Sequence, residues 1–339
     1  MTVVDHAPVL LTANQPDARP YRGGAGIARF RGTTAGSPYT PEDFVASTTE
    51  VFAGGVGLTV LPDGRVLRDA VAADPVAWLG EDHVRAFGAD TGLLVKLLNT
   101  GERLFVHFHP DDAFAQAHLR SPRGKTEAWI VLDVDPGVEG YAALAFARDV
   151  SETEVAQWFR GQDREDMLGA MNRVPLAPGD TLLVPAGYAH AIGSGITLLE
   201  LQQPTDLSVL LEWSGYNGLT ERDALLGLDP DIAFGALHRR RVDAERLEVL
   251  ASRRGDGEIL FPHEADRFFG ATRLVVDGER RLEQGFSVVV VASGSGRVDT
   301  DAGSVSVQRG STVLVPHGAG PATLSGTMVA FRCAPPRPA

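Results

Sequence analysis

The sequence predicts a mainly β protein built from two barrels, with a helical insert in the first barrel and a helical connection between the two. Short apolar runs separated by turn residues continue over most of the chain, and 38 glycines and 21 prolines supply the turns. Histidines on separate short strands of the N-terminal half are arranged as in a barrel that holds a metal. After a charged stretch that is predicted to be helical, the last part of the chain, from about residue 256, again has the sequence pattern of β-strands.

Two motifs organise the N-terminal half. In the first, residues 101–112, His107 and His109 are two positions apart in an apolar run, so they share one face of a strand. In the second, residues 179–190, a short apolar strand and a Pro-x-Gly turn precede His190. Glu127 lies on an apolar strand between the motifs. Neutral imidazoles bind divalent metals and a carboxylate commonly completes the set, so these four residues are the predicted metal ligands.

Composition excludes several classes of function. The formal net charge of -13 argues against a general nucleic-acid binder and against an anionic membrane surface as partner. A single cysteine, Cys333, excludes an intramolecular disulfide framework and is typical of a reducing compartment. No apolar run approaches the roughly 20 residues that span a bilayer, and the N-terminus lacks the pattern of a signal peptide. We therefore expect a cytoplasmic protein.

The chain length of 339 residues allows two domains. We predict a metal-binding catalytic domain over residues 1–218, with a helical insert at about 150–173 that begins with a capping box, Ser151 to Glu154. Residues 110–124 are predicted as a long polar loop, 219–255 as a helical connector and 256–339 as a second domain. Residues 310–318 repeat half of the second motif, but Pro321 stands where the histidine should be, so the second domain is predicted to be metal-free.

The paired spacings resemble the signature of the cupin superfamily. They read Gly, five residues, His-x-His, and later Gly, five residues, Pro-x-Gly-x-x-His. Cupins are small jelly-roll barrels with a metal inside. The resemblance implies two cupin-type jelly-roll barrels, of which the first holds the metal.

Further motifs resemble the type I mannose-6-phosphate isomerases over roughly residues 23–213. They are Leu-Val-Lys-Leu-Leu-Asn at 94–99, His-Pro-Asp-Asp at 109–112, Gly-Lys-Thr-Glu at 124–127, Pro-Ala-Gly-x-x-His at 185–190 and Glu-Leu-Gln-Gln-x-x-Asp at 200–206. This resemblance implies a metal-dependent isomerase that interconverts an aldose, or an aldose phosphate, and its ketose through an enediol. It also implies one divalent metal ion, zinc in the first place, with Mn²⁺, Fe²⁺ or Ni²⁺ as alternatives.

The chain departs from this family at three positions. His107 replaces a glutamine among the ligands, which leaves the identity of the metal open. A serine implicated in holding the substrate phosphate is Phe105 here, and by strand parity its ring faces the pocket. An arginine that follows the Gln-Gln-x-x-Asp motif is replaced by about Leu210. An arginine fork is the natural clamp for phosphate, so these losses leave open whether the sugar is phosphorylated.

Moving a proton between C1 and C2 requires a base whose pKa lies near neutrality. Glu200 is our candidate, because it lies on an apolar strand where burial would raise its pKa; a structural pairing with Lys125 or Arg148 is the alternative. Lys125 shares the ligand face and is the second catalytic candidate. The predicted substrate contacts are Lys96, Asp112, Gln202, Tyr188 and Phe105.

Other functions remain open at this stage. A cupin with three histidines and one glutamate can be an Fe, Ni or Mn dioxygenase, and a metal-binding sugar sensor would need no catalytic arginine. An isomerase re-specialised for a non-phosphorylated sugar is a further alternative. The Gly-Lys-Thr-Glu and Glu-x-Gln-Gln motifs favour an isomerase. We expect a small sugar or sugar phosphate as partner, no nucleic acid, no membrane, and a monomer or homodimer.

Overall fold

A computed structural model describes residues 6–17, 19–52, 54–253 and 259–337. Its strands are β1 (Val9–Leu11), β2 (Glu42–Val45), β3 (Leu94–Asn99), β4 (His107–Phe108), β5 (Glu127–Val134), β6 (Tyr141–Phe146), β7 (Met171–Pro175), β8 (Asp180–Val184), β9 (His190–Ile192), β10 (Ile196–Gln202), β11 (Val209–Leu210), β12 (Ala251–Arg253), β13 (Gly270–Leu282), β14 (Ser287–Thr300), β15 (Gly303–Gln308), β16 (Thr312–Val315) and β17 (Ala322–Ala334). The prediction of a mainly β protein is confirmed.

The helices are short and lie between the strands. They are α1 (Gly26–Arg31), α2 (Leu67–Ala73), α3 (Pro75–Leu79), α4 (Glu81–Phe87), α5 (Asp112–His118), α6 (Glu152–Gly161), α7 (Arg164–Gly169), α8 (Glu221–Ala224), α9 (Pro230–Ala233) and α10 (Ala244–Leu250). Among the described residues, no helix combines the length and the apolar character needed to cross a membrane.

Two antiparallel sheets of the N-terminal part face each other and enclose the predicted site. The first has the strand order β12-β8-β5-β10-β3-β2, and the second β11-β4-β9-β6-β7. In the first sheet, Glu200 is opposite Lys96 on one side and Trp129 on the other, so their side chains share a face. In the second sheet, His107 is opposite His190. The polar residues of both sheets therefore meet in the interior.

The central strands of the first sheet are covered on both faces. Every residue of β3 and β10 is buried, and α1 contacts both strands from outside. A strand without a solvent face is apolar along its whole length, which explains their leucine-rich sequences. Lys96 and Glu200 interrupt these apolar runs, and a buried charge needs a partner.

The C-terminal part forms one six-stranded antiparallel sheet rather than two facing sheets. Its order is β1-β16-β14-β17-β13, with β15 beside β14. Valine-rich strands of this sheet build an apolar core of their own, which includes Val289, Val291 and Val313. The description of the fold as two jelly-roll barrels is therefore not fully confirmed. Within the described ranges, the candidate metal cluster lies in the N-terminal part alone.

Short strands cross the predicted domain limits. Strand β1, at residues 9–11, pairs with β16 in the C-terminal sheet, although it belongs by sequence to the predicted first domain. Strand β12, from the predicted connector, pairs with β8 of the first sheet. Each covers an edge that would otherwise expose unpaired backbone groups. A three-residue apolar run carries no sequence signal for its partner, so these pairings were not predicted.

Two local predictions have different outcomes. The capping box at the start of the insert is confirmed, because Ser151 and Glu154 make both reciprocal bonds at the N-terminus of α6. Residues 110–124, however, are not all loop, since they contain α5, whose first turn is capped by the side chain of Asp111. The sequence of α5 has little apolar periodicity, which is the signal that sequence reasoning needs to find a helix.

Asn99 fixes the N-terminal loop to the first barrel. Its Oδ1 accepts bonds from the backbone N–H groups of Gly24 and Gly26, both at 2.9 Å. Its Nδ2 donates to the carbonyl oxygen of Ile196 at 3.0 Å and to Thr197 Oγ1 at 3.1 Å. The side chain is buried, and although Thr100 also donates to the carbonyl oxygen of Ile196, the hydrogen bonds of the Gly24 and Gly26 N–H groups are those to Asn99.

Replacing Asn99 with alanine is expected to lower the free energy of unfolding by about 3 kcal/mol, because buried polar groups lose their partners. Urea denaturation would measure the change. Asn217→Ala is the matched control, since that side chain is exposed, and its effect should stay within about 0.5 kcal/mol. A loss below about 1 kcal/mol for Asn99→Ala would contradict the proposed anchor.

Candidate metal centre

Three imidazoles form a compact cluster inside the first barrel. His107 is on β4, His109 follows that strand directly, and His190 begins β9. One nitrogen of each ring lies within 4.8 Å of the others, and all three side chains are buried. The rings of His107 and His190 are closest, with centroids 4.0 Å apart. The cross-strand pairing of these two residues produces this proximity.

The orientation of each ring is fixed by a backbone carbonyl. The Nδ1 atoms lie 3.0, 2.8 and 2.9 Å from the carbonyl oxygens of Phe105, Leu207 and Tyr188, for His107, His109 and His190 in that order. A carbonyl oxygen can only accept, so Nδ1 carries the proton and Nε2 keeps its lone pair. Such a contact is typical of a histidine that binds a metal through Nε2.

Glu127 completes the polar set. Its Oε2 lies 3.1 Å from His109 Nε2, and its Oε1 lies 3.2 Å from His190 Nε2. Among the described residues, neither of these two Nε2 atoms has a hydrogen-bond partner, and both are buried. Burial lowers the pKa of His109 to about 3, and burial with the neighbouring imidazoles holds the pKa of His107 well below its ordinary value. Neutral nitrogens and a carboxylate that face one another without protons fit a divalent cation.

Trp129 supports the carboxylate and was missed as a functional residue by sequence reasoning. Its indole Nε1 donates to Glu127 Oε1 at 3.1 Å. The residue is fully buried and two positions after Glu127 on β5, so strand parity puts both side chains on the same face. That parity is the signal that could have found it, because a buried indole N–H needs an acceptor.

The cluster borders a cavity of about 30 Å³, whose lining includes His107, Glu127, Lys96, Glu200 and Phe105. This volume admits an ion or one or two waters and is too small for a sugar. Phe105 forms part of the wall, as strand parity predicted for its direction. Its ring centroid lies 5.0 Å from that of His107 and 5.2 Å from that of Tyr216.

Lys125 and Glu200 form an ion pair beside Glu127. Lys125 Nζ lies 2.7 Å from Glu127 Oε2 and 3.6 Å from Glu200 Oε1. Burial raises the pKa of Glu200 to about 7, and the charge of Glu127 adds to this rise while Lys125 and Lys96 oppose it. Glu200 is thus a buried carboxyl group that can gain or lose a proton near neutral pH.

A second ionic group adjoins the first and was not predicted as a unit. Lys96 Nζ lies 3.2 Å from both Glu42 Oε2 and Asp206 Oδ1. Arg19 reaches the same carboxylates, with Nη1 2.8 Å from Asp206 Oδ2 and Nη2 2.9 Å from Glu42 Oε1. The hydroxyl of Tyr21 also donates to Glu42. Although burial opposes ionisation, Arg19 and Lys96 hold the pKa of Asp206 well below its ordinary value.

Two predicted substrate contacts lie elsewhere. Tyr188 is in a turn, and its ring packs against His238 with centroids 4.8 Å apart. Asp112 lies in α5 on an outer groove of about 1140 Å³, where its carboxylate accepts from Gly124 N and from Gln203 Nε2. Both are close to a histidine in sequence, but a turn and a helix do not continue the alternation of a strand.

Neither Gln202 nor Leu210 places a free polar group in the cavity. Gln202 is opposite Glu127 on β10 and fully buried, yet its Nε2 is bonded to backbone carbonyls, which include that of Thr205. Its Oε1 has no partner. Leu210 is opposite His107 on β11 and buried, so that strand supplies no guanidinium to the site.

Comparison with known proteins finds similarity to mannose-6-phosphate isomerases. The model of the family "Mannose-6-phosphate isomerase, cupin domain" matches residues 259–335. Mannose-6-phosphate isomerase ManA of Bacillus subtilis (strain 168) is 28% identical over 261 residues, which cover 73% of this chain and 78% of ManA. The mannose-6-phosphate isomerase of Streptococcus mutans serotype c is 26% identical, with coverage of 72% and 75%.

Solved structures have the same fold. The mannose 6-phosphate isomerase from Bacillus subtilis has a TM-score of 0.71 and 24% identity, over 96% of this chain and 99% of that one. The apo form of the Salmonella typhimurium enzyme has a TM-score of 0.74 and 14% identity, over 98% and 100% of the two chains. At these identities the likeness concerns the fold, and it extends over the C-terminal sheet as well.

Removing one imidazole should abolish tight metal binding. We expect purified His109→Ala to lose stoichiometric divalent metal, because only two imidazoles and Glu127 remain as ligands. Elemental analysis after dialysis would measure the metal content. His118→Ala is the matched control, since His118 ends α5 outside the cluster, and it should keep its metal. Equal metal content in both variants would contradict the assignment of the centre.

Proposed function

We propose that this chain, a divergent member of the mannose-6-phosphate isomerase family, is a metal-dependent aldose–ketose isomerase. One observation carries the proposal. The three-imidazole cluster with Glu127 borders the same cavity as Glu200, a buried carboxyl group whose pKa is about 7. A metal site and a neutral-pH base on one cavity are what the isomerisation of a carbonyl sugar needs.

His107, His109, His190 and Glu127 would hold the cation, and zinc is our proposed metal. When bound, the cation supplies Lewis-acid stabilisation of the negative charge that develops on the substrate oxygens. The set has more nitrogen ligands than the family's usual one, so Fe²⁺, Mn²⁺ and Ni²⁺ also suit it. The unpartnered lone pairs of His109 and His190 support this assignment.

The proposed proton transfer uses Glu200. Its carboxylate removes the proton at C2 of the open-chain aldose and returns it to C1, while a second proton moves from O2 to O1. Lys125, 3.6 Å from Glu200 and 2.7 Å from Glu127, is placed to donate a hydrogen bond to a substrate oxygen. Lys96, the cross-strand neighbour of Glu200, adds positive charge on the other side. The buried setting keeps water from competing for these groups.

Substrate entry requires the cavity to widen. Its volume of about 30 Å³ is well below the 300 Å³ or more that is usual for a ligand pocket. Phe105, Tyr21 and Tyr216 pack their rings together at this wall. We propose that these aromatic side chains move apart to admit the sugar and then close over it.

A direct assay tests the proposed function. Metal-replete protein would be assayed for interconversion of mannose 6-phosphate and fructose 6-phosphate, and in parallel for isomerisation of free mannose and other free aldoses. His109→Ala is the control for metal-dependent turnover. Turnover of a phosphorylated or a free aldose would support an isomerase, and the ratio of kcat/KM values would give the substrate class. No turnover of either by metal-loaded protein would contradict the proposal.

The pH profile of this activity tests the role of Glu200. Because the base must be ionised, kcat/KM of the wild type should fall on the acid side of a pKa near 7. Glu200→Gln should lower kcat by about 1000-fold, since glutamine cannot accept the proton. The matched control is Glu248→Gln, which changes an exposed glutamate of α10 and should leave the profile unchanged. A Glu200→Gln enzyme with near wild-type kcat would exclude Glu200 as the base.

A further inference from the structure

We propose that Arg19 binds the phosphate group of a phosphorylated substrate at the entrance to the metal cavity. This inference rests on the proposed isomerase function and assigns it a specificity-determining residue. Arg19 lies in the loop between β1 and α1, far in sequence from the metal motifs. Its side chain nevertheless lines the same cavity as His107 and Glu200.

The position of Arg19 is fixed by contacts on both sides. Its backbone N–H donates to the carbonyl oxygen of Tyr39, and the next residue, Pro20, accepts from the backbone N–H of Asn217. The guanidinium is held by Asp206 and Glu42. These bonds orient the cation before any ligand arrives, so binding costs little conformational entropy.

Arg19 is the most accessible cation of the cavity. Its side chain is 16% exposed, whereas Lys96 is 2% and Lys125 is 6% exposed. Each of the three cations is paired with two carboxylates, so their exposure is what distinguishes them. Solvent therefore reaches the side chain of Arg19 more than that of either lysine.

The guanidinium of Arg19 also has unused donors. Nη1 donates to Asp206, and Nη2 donates to both Asp206 and Glu42, so three of its five N–H groups are engaged. Nε is buried without a partner. These two N–H groups lie on opposite edges of the guanidinium, so the free N–H of Nη1 and the positive charge are what Arg19 offers to a phosphate oxygen.

The two neighbouring arginines do not line this cavity. Arg103 and Arg164 are both bound to the buried carboxylate of Glu212, with closest contacts of 2.6 and 2.8 Å. Leu210 offers no charge, and the ring of Phe105 offers no donor to phosphate. Among the described residues that line the cavity, Arg19 is the guanidinium that remains for an anion.

Calorimetry with unreactive ligands tests the inference without relying on turnover. Metal-loaded protein would be titrated with mannitol 6-phosphate and with mannitol, which lack the carbonyl group and cannot isomerise. We expect Arg19→Met to weaken binding of mannitol 6-phosphate at least 10-fold and binding of mannitol less than 2-fold. Arg22→Met is the matched control, because Arg22 is exposed on the same segment and should leave both affinities unchanged.

A second variant covers the case in which Arg19→Met does not fold, since its loss leaves Asp206 and Glu42 with fewer partners. Arg19→Lys keeps the charge but not the fork, and it should weaken mannitol 6-phosphate several-fold with mannitol unaffected. Equal affinities in wild type and variants, or equal losses for both ligands, would overturn the proposal.

The two proposals fail in distinguishable ways. If the wild-type protein binds mannitol 6-phosphate through Arg19 but isomerises no sugar, the result supports the phosphate site and contradicts the proposed isomerase function. If the wild-type protein isomerises a free aldose but binds mannitol 6-phosphate no more tightly than mannitol, the result supports the isomerase function. It overturns the proposed role of Arg19.

Discussion

The burial of many charges in one small interior is the constraint on which this structure depends. Three cationic side chains and four carboxyl groups share the space around the cavity. Desolvating such groups costs several kcal/mol each, and removal of one partner typically costs about 3–5 kcal/mol. A core that served stability alone would be apolar at these positions. The apolar outer layers and strands buried on both faces provide the dry, rigid enclosure in which such groups can be held.

The metal cluster follows from the same enclosure. Burial keeps the imidazoles neutral, backbone carbonyls fix which nitrogen carries the proton, and Trp129 fixes the carboxylate of Glu127. The orientation of each side chain in the cluster is therefore fixed by a hydrogen bond to another residue. The donor set is therefore a property of the two facing sheets, and it depends on the pairing of β4 with β9 and of β5 with β10.

Sequence reasoning was most reliable where strand alternation decides the outcome. It put His107, His109 and Phe105 on one face and Lys125 with Glu127 on another. All of these except His109 line the cavity, and His109 joins the imidazole cluster beside it. Each of these assignments needs only the local rule that alternate residues share a face.

The remainder could not be predicted because it depends on tertiary contacts. Arg19 is a polar residue in a loop, and Glu42 is an acidic residue in a short strand, so each resembles an ordinary surface position in the sequence. They become part of the site only because the loop and β2 fold onto Lys96. Tyr188 and Asp112 show the opposite error, since their closeness to histidines in sequence did not bring their side chains to the cavity.

The exchange of short strands between the two parts of the chain has a consequence for how the protein can be divided. Strand β1 begins the segment that leads to Arg19, and it is held by β16 of the C-terminal sheet, while β12 is held by β8 of the first barrel. Cleavage of the chain between the two parts would leave them held together by these strand pairings. Each part expressed alone would expose the unpaired backbone groups of a sheet edge to other chains. The C-terminal sheet thus anchors the N-terminal segment, so a part whose described residues hold no metal cluster helps to position the wall of the cavity at Arg19.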